Sequence, residues 1–218
     1  MANSSKISKV LRFVQQLVKT DNPLISRPEF EQHISQITHL ISSVQKEDVN
    51  FHASSISKRA PVTFINIYDD ELTLSASIFA LQDGSFLPTH DHPHMYGFIK
   101  CIYGTLKITS YSPVNQSSVS SQSIPTSASK EPDVYLTDTS QDVAVLMPDK
   151  GNVHSIAAID GPGAFIDFLI PPYAFRDNCC HYFSVDGNDS SKGLYTLHEV
   201  DCPSSYWCAT VPYTGPQL

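Results

Sequence analysis

Residues 84–104 read GSFLPTHDHPHMYGFIKCIYG, and this stretch decides how the rest of the chain is read. It sets His90 and His92 two positions apart, a spacing that places both side chains on one face of a strand. Neutral imidazole ligates zinc, copper, iron and nickel, so a same-face pair supplies half of a metal site and needs a distant partner. His154, within PDKGNVHSI (residues 148–156), is the candidate partner. An isolated HxH pair is weak evidence, because most such pairs are surface or core histidines. Here the pair sits in an ordered frame: five residues separate it from Gly84, and Gly97 and Gly104 follow.

At 218 residues the chain is long enough for one well-filled domain, and all-β barrels of this size commonly remain a single unit. Its 14 basic and 22 acidic residues give a formal net charge of −8, which disfavours attraction to nucleic acid phosphates. No apolar run reaches the eighteen residues needed to cross a bilayer, and the N-terminus lacks a secretory apolar core. The expectation is therefore a cytoplasmic protein with neither a nucleic acid nor a membrane partner, and nothing in the surface composition calls for more than a monomer. The five cysteines, Cys101, Cys179, Cys180, Cys202 and Cys208, are odd in number and scattered, so reduced thiols are expected. Cys202 and Cys208 lack the second pair that a structural zinc site requires.

Between Ser5 and Lys19, apolar Ile7, Val10, Leu11, Phe13, Val14, Leu17 and Val18 recur at spacings close to helical. The same period returns from Pro28 to Val44, where Phe30, Ile34, Ile37, Leu40 and Ile41 line one side and Pro28 suits a helix start. Two N-terminal helices, in a region spanning residues 1–50, are expected to pack on the domain formed by residues 51–218. From Pro61 the period changes to two: Ile65 and Ile67 flank Asn66, and Leu72, Leu74, Ala76 and Ile78 alternate with polar residues. Further strands are marked by Leu106 and Ile108, by Val143, Val145 and Met147, and by Ala164, Ile166, Phe168 and Ile170. Many short strands imply a sandwich or barrel. The serine-, proline- and glutamine-rich stretch near 113–132 reads as an exposed insertion.

The order of glycines and histidines resembles the first cupin motif, with Gly97 where many such sites carry a glutamate. Pro148, Gly151 and His154 fit the second motif. More specifically, HDHPHMYGFIKCIYGTLKITSY, GNVHSI, GPGAFIDFLIPPY, CHYF and WCATVPYTGP resemble the thiol dioxygenase family that unites cysteamine dioxygenases with plant cysteine oxidases. The resemblance spans roughly Thr63 to Gln217. It implies an all-β cupin double-stranded β-helix (jelly-roll) barrel with two N-terminal helices, holding one non-haem Fe(II) per chain on His90, His92 and His154. It also implies roles at the active site for Asp167 and Tyr173, a carboxylate and a phenol able to orient substrate, and a thioether crosslink between Cys180 and Tyr182. Alone, the residues also allow Tyr173 to be a packing residue and Asp167 to bond only neighbouring backbone. His94 departs from the family, which usually has glycine after HDHP. His33, His39, His52, His181 and His198 have no visible partners that would make them ligands.

Three neutral imidazoles leave a ferrous ion its full double charge, which favours an anionic ligand such as a thiolate. What the resemblance implies is a dioxygenase that adds both atoms of O2 to the sulfur of cysteamine, giving hypotaurine. N-terminal cysteine of peptides or proteins presents the same amine and thiol, and its oxidation to the sulfinic acid would serve oxygen sensing through the N-degron pathway. The alternatives are a plant-type cysteine oxidase acting only on N-terminal cysteine, a three-histidine zinc hydrolase or hydratase, and a cupin that merely binds a ligand.

Overall fold

The computed structural model describes residues 5–20, 27–114, 125–173, 179–189 and 193–218. The first amphipathic stretch forms α1 (Lys6–Thr20), whose Ile7, Val10, Leu11 and Val14 are buried. The second, expected as one helix over 28–44, is divided into α2 (Arg27–Glu31) and α3 (Ile34–Ser42). At the break the His33 N–H bonds to the Phe30 carbonyl, a tighter turn than an α-helix makes. Phe30 packs on Tyr96, with ring centroids 4.4 Å apart, while Ile37 and Ile41 are fully buried.

Among the described residues eleven strands follow: β1 (Val62–Asp69), β2 (Ser75–Leu81), β3 (Phe86–His90), β4 (Tyr96–Pro113), β5 (Thr126–Lys130), β6 (Val134–Thr137), β7 (Ala144–Leu146), β8 (Val153–Ile170), β9 (Tyr182–Asp189), β10 (Leu194–Val200) and β11 (Cys208–Thr210). They pair in the order β11-β1-β2-β8-β3-β9-β10-β5-β4-β6, with β7 also on β4. An additional β8–β4 pairing closes β8, β3, β9, β10, β5 and β4 into a six-strand ring. This is the expected cupin barrel, and closure removes the exposed edges of those six strands.

Alternation sorts the apolar residues into two layers. Along β4, Ile99 and Cys101 join an inner cluster with Leu81, Leu87, Ile156 and Phe165. Phe98 and Ile102 point the other way, with Ile166, Phe168 and Ile170 of β8, and the helices cover this outer face through Ile7, Val10, Ile37 and Ile41. The N-terminal helices thus bury the one sheet face that the barrel cannot bury itself.

The stretch near 113–132 differs from its reading as an exposed insertion. Residues 115–124 lie outside the described residues, but Thr126–Lys130 is β5, paired with both β4 and β10. Ala128 is fully buried there. Polar composition hid a strand because its neighbours satisfy its backbone on both sides, and only one small side chain has to enter the interior.

Gly104, the last glycine of the opening stretch, lies where β4 passes the bend in β8. Its φ is +69°, and a Cβ there would sit 2.3 Å from the Pro162 carbonyl oxygen. Gly84 has the same φ with open space around it. Gly104→Ala is expected to destabilise the fold by more than about 2 kcal/mol, and Gly84→Ala by about 1 kcal/mol. Urea unfolding of the two variants checks this, the difference between them isolating the backbone collision.

Candidate metal centre and active-site cavity

His90 ends β3, and its Cα is paired across the sheet with His154 of β8 on one side and Tyr182 of β9 on the other. His92 is not on the strand. It opens a turn closed by the Met95 N–H on the His92 carbonyl at 3.1 Å. The two-residue spacing still brings both rings inward, one from the strand end and one from the turn beyond it. Ring centroids lie 4.9 Å apart for His90 and His92, 4.5 Å for His90 and His154, and 5.1 Å for His92 and His154. One ring nitrogen from each of the three lies within 4.8 Å of the others. No other group of three potential ligands meets that criterion among the described residues, and exposed His94, with φ 62°, is not part of it.

The outer nitrogen of each ring is engaged. His90 Nδ1 bonds to the Pro88 carbonyl at 2.8 Å, and His154 Nδ1 to the Asn152 carbonyl at 2.8 Å. A carbonyl only accepts, so both Nδ1 atoms carry the proton and each Nε2 keeps a free lone pair. The third ring is held by Tyr173, whose hydroxyl donates to the Asp91 carbonyl at 2.8 Å and accepts from His92 Nδ1. His92 Nε2 is buried without a partner. Burial pushes all three imidazoles below their ordinary pKa, His154 to about 3, so the rings are neutral at pH 7. Neutral rings with inward lone pairs and an orphaned buried nitrogen fit a metal ion.

Two supports were not visible in the sequence. The Asn152 side chain accepts the His92 N–H at 2.8 Å and donates to the carbonyls of His92, Met95 and Met147 at 2.9, 3.4 and 3.2 Å. It fastens the metal turn to the segment carrying His154. Asp91 faces the other way: its carboxylate accepts the His181 backbone N–H at 2.8 Å and contacts the His181 ring at 3.1 and 3.2 Å. The Asp91 N–H returns a bond to the His181 carbonyl at 3.1 Å. Burial raises the Asp91 carboxyl pKa despite the bonds from His181. His181 is therefore no ligand, but it ties the metal turn to the segment holding Cys180 and Tyr182. Sequence offered only the HDH and CHY triplets, 90 residues apart.

The three histidines line a cavity of about 170 Å³. Its lining also includes apolar Phe79, Leu87, Ile156 and Phe165, and polar or titratable Asp167, Tyr173, Cys180, Tyr182 and Tyr206. Asp167 comes from β8 between Phe165 and Leu169, and its Oδ1 is buried with no hydrogen-bond partner. Burial lifts its pKa from 3.8 to about 7. The Cys180 thiol is pushed up to about 11 by burial, and the Tyr182 hydroxyl is in hydrogen-bond contact with the thiols of both Cys180 and Cys202. All seven expected site residues thus lie around one cavity.

A closed double-stranded β-helix with three inward imidazoles and no carboxylate among them defines a cupin of the three-histidine kind. A model of the family PCO_ADO matches residues 31–218, and the chain belongs to that family of thiol dioxygenases. It is 31% identical to the mouse 2-aminoethanethiol dioxygenase over 88% of this chain and 87% of the relative. Identity to the human 2-aminoethanethiol dioxygenase is 27%, covering 88% and 83% of the two chains. Plant cysteine oxidase 2 of Arabidopsis thaliana is 28% identical, covering 86% and 75%. A solved cupin superfamily protein from Desulfitobacterium hafniense aligns with a TM-score of 0.38 at 16% identity, covering 54% of this chain and 85% of that one.

Replacing Asn152 by Ala strands a buried N–H and several carbonyls at once. The variant is expected to lose about 3 kcal/mol or more of unfolding free energy in urea, compared with about 1 kcal/mol for one ordinary hydrogen bond.

Proposed function

We propose that the chain is a thiol dioxygenase that holds one Fe(II) on His90, His92 and His154. Its substrates in this reading are cysteamine, oxidised to hypotaurine, and the N-terminal cysteine of peptides or proteins, oxidised to the sulfinic acid. One observation carries the reading: the three-histidine cluster shares its cavity with a buried carboxyl group, Asp167, whose Oδ1 has no hydrogen-bond partner. Ferrous iron held there supplies the redox chemistry that joins both atoms of dioxygen to a thiol sulfur.

The chain's own residues do the rest. The amine of an aminothiol is a cation in water, and Asp167 Oδ1 is the buried acceptor that replaces its hydration. Holding the amine there leaves the sulfur directed at the histidines, so the reacting partners meet in a fixed orientation. Tyr173 is a positioning residue, because its hydroxyl is already committed to His92 and to the Asp91 carbonyl. Apolar Phe79, Leu87, Ile156 and Phe165 line the same cavity and keep it dry, which strengthens the carboxylate–ammonium attraction. Cys180 and Tyr182 line the same cavity, and in this reading they would join as a thioether, with loss of two hydrogens to an oxidant such as dioxygen. In a cytoplasmic monomer, oxidation of N-terminal cysteine would report oxygen supply through the N-degron pathway. No helix of the described residues is long and apolar enough to cross a membrane.

Protein loaded anaerobically with Fe(II) is expected to consume oxygen on addition of cysteamine or a Cys-initiated peptide, with a mass gain of two oxygen atoms in the product. His154→Ala is expected to abolish uptake. Absence of uptake with both thiols in the wild type, or stoichiometric zinc in protein purified without chelators together with hydrolytic turnover, overturns the reading.

Asp167 also makes a prediction about stability in metal-free protein. Its folded pKa of about 7 lies above the unfolded 3.8, so the folded state binds more protons, and stability falls as pH rises between those values. The full displacement corresponds to at most about 4 kcal/mol. Asp167→Asn is expected to stabilise the metal-free protein, by an amount that grows from pH 5 to pH 7 and is level above about pH 7.5. Thermal unfolding across that range checks it.

A further inference from the structure

Tyr206 reaches the cavity from outside the barrel. The chain leaves β10 at Val200 and turns so that the Tyr206 N–H bonds to the Pro203 carbonyl at 2.9 Å. It then runs as β11, parallel to β1. Beyond β11 the segment is tied down again, by the Val211 N–H on the Phe64 carbonyl at 3.0 Å and by Asn50 Nδ2 on the Thr214 carbonyl at 3.1 Å. Among the described residues lining the cavity, Tyr206 alone belongs to this strap.

The phenol is wedged in place. Its ring lies 6.1 Å from that of Tyr182 at 54°, it packs against the inner apolar cluster, and its hydroxyl accepts from the Cys208 thiol at 3.3 Å. The cavity beneath it, about 170 Å³, has the volume of five or six waters at about 30 Å³ each. That is room for the four heavy atoms of an aminoethanethiol and for dioxygen. His90, His92, His154 and Asp167 are buried while Tyr182 and Tyr206 are half-buried, so the two phenols stand on the solvent side of this space. In an N-terminal cysteine the rest of the peptide is attached through the amine-bearing carbon, so it has to leave through the mouth while amine and thiol stay inside.

Resting on the thiol dioxygenase reading, we propose that Tyr206 is the specificity-determining residue of this site: its ring sets the width of the exit past Tyr182 and so the preference between a free aminothiol and a Cys-initiated peptide. Cysteamine fits under the ring. A peptide has to pass it, which costs the packing of the phenol on the inner cluster. The aromatic volume sets the width and the hydroxyl does not, so Tyr206→Phe keeps the preference and Tyr206→Ala changes it.

The test compares oxygen uptake by Fe(II)-loaded wild type, Tyr206→Phe, Tyr206→Leu and Tyr206→Ala on cysteamine and on a Cys-initiated pentapeptide. The ratio of kcat/KM, peptide to cysteamine, is expected to rise at least about tenfold in Tyr206→Ala, mainly through a lower peptide KM, and to stay within about threefold in Tyr206→Phe. Tyr206→Leu, which retains an apolar filler, is the second variant should the alanine form fail to fold, and an increase in the same direction is expected from it. An unchanged ratio in a folded Ala or Leu variant overturns the proposal, as does a Phe variant that shifts as far as Ala. Anaerobic calorimetric titration of the same loaded proteins with the two thiols separates this from the underlying reading. If the wild type consumes no oxygen, the dioxygenase reading fails by itself. The Ala variant must still tighten peptide binding relative to cysteamine by about tenfold for the role of Tyr206 to stand.

Discussion

The centre depends on a register. His90 faces His154 across one antiparallel pair and Tyr182 across the next, so three of the residues around the cavity form a single row through β8, β3 and β9. A strand shifted by one residue turns every side chain to the opposite face, and such a slip in β8 would carry His154 out of the barrel. What prevents it is the long ladder between β4 and β8, running from Tyr96 opposite Ile170 to Tyr111 opposite Val153. Along that ladder, inward Phe165 and outward Ile166 and Phe168 have to meet different apolar layers. Two hydrophobic clusters therefore specify, at a distance, where a single imidazole points.

Within this frame the polar groups divide into satisfied and unsatisfied ones. Asn152, Asp91 and Tyr173 are bonded to backbone or ring partners and hold the metal turn on several sides. Asp167 Oδ1 and His92 Nε2 are buried with nothing to bond. For a domain whose whole stability is about 5–15 kcal/mol, ionising a buried carboxyl that has an unbonded oxygen is a heavy load. The surrounding core is what lets the fold carry it, and both orphan atoms belong to the same cavity.

Much of this was legible in the sequence. His90, His92 and His154 stood out because glycines at set spacings framed them, and those glycines mark turns that geometry demands, Gly104 most clearly. The barrel was readable from period-two alternation, and the helix faces from Ile7, Val10, Ile37 and Ile41. The break after Glu31 was not, because the apolar period continues across it and only the docking of Phe30 on Tyr96 shows why the chain turns there. β5 was missed because a serine-rich strand held by backbone bonds has almost no hydrophobic signature. Asn152, His181 and Tyr206 were silent for a related reason. Each works through a partner or a cavity built from segments far away in the chain, which its own residue type and spacing do not reveal.

The bonds on the outer nitrogens have a consequence for metal choice. Pro88, Asn152 and Tyr173 orient the three rings from behind, so ring placement is settled by the polypeptide and an incoming ion finds the donors already arranged. Such a pocket selects position and leaves identity open, and by intrinsic affinity divalent copper and zinc outcompete ferrous ion at nitrogen donors. Which element fills the seat is then decided by supply in the surroundings, so the history of a preparation becomes part of its chemistry.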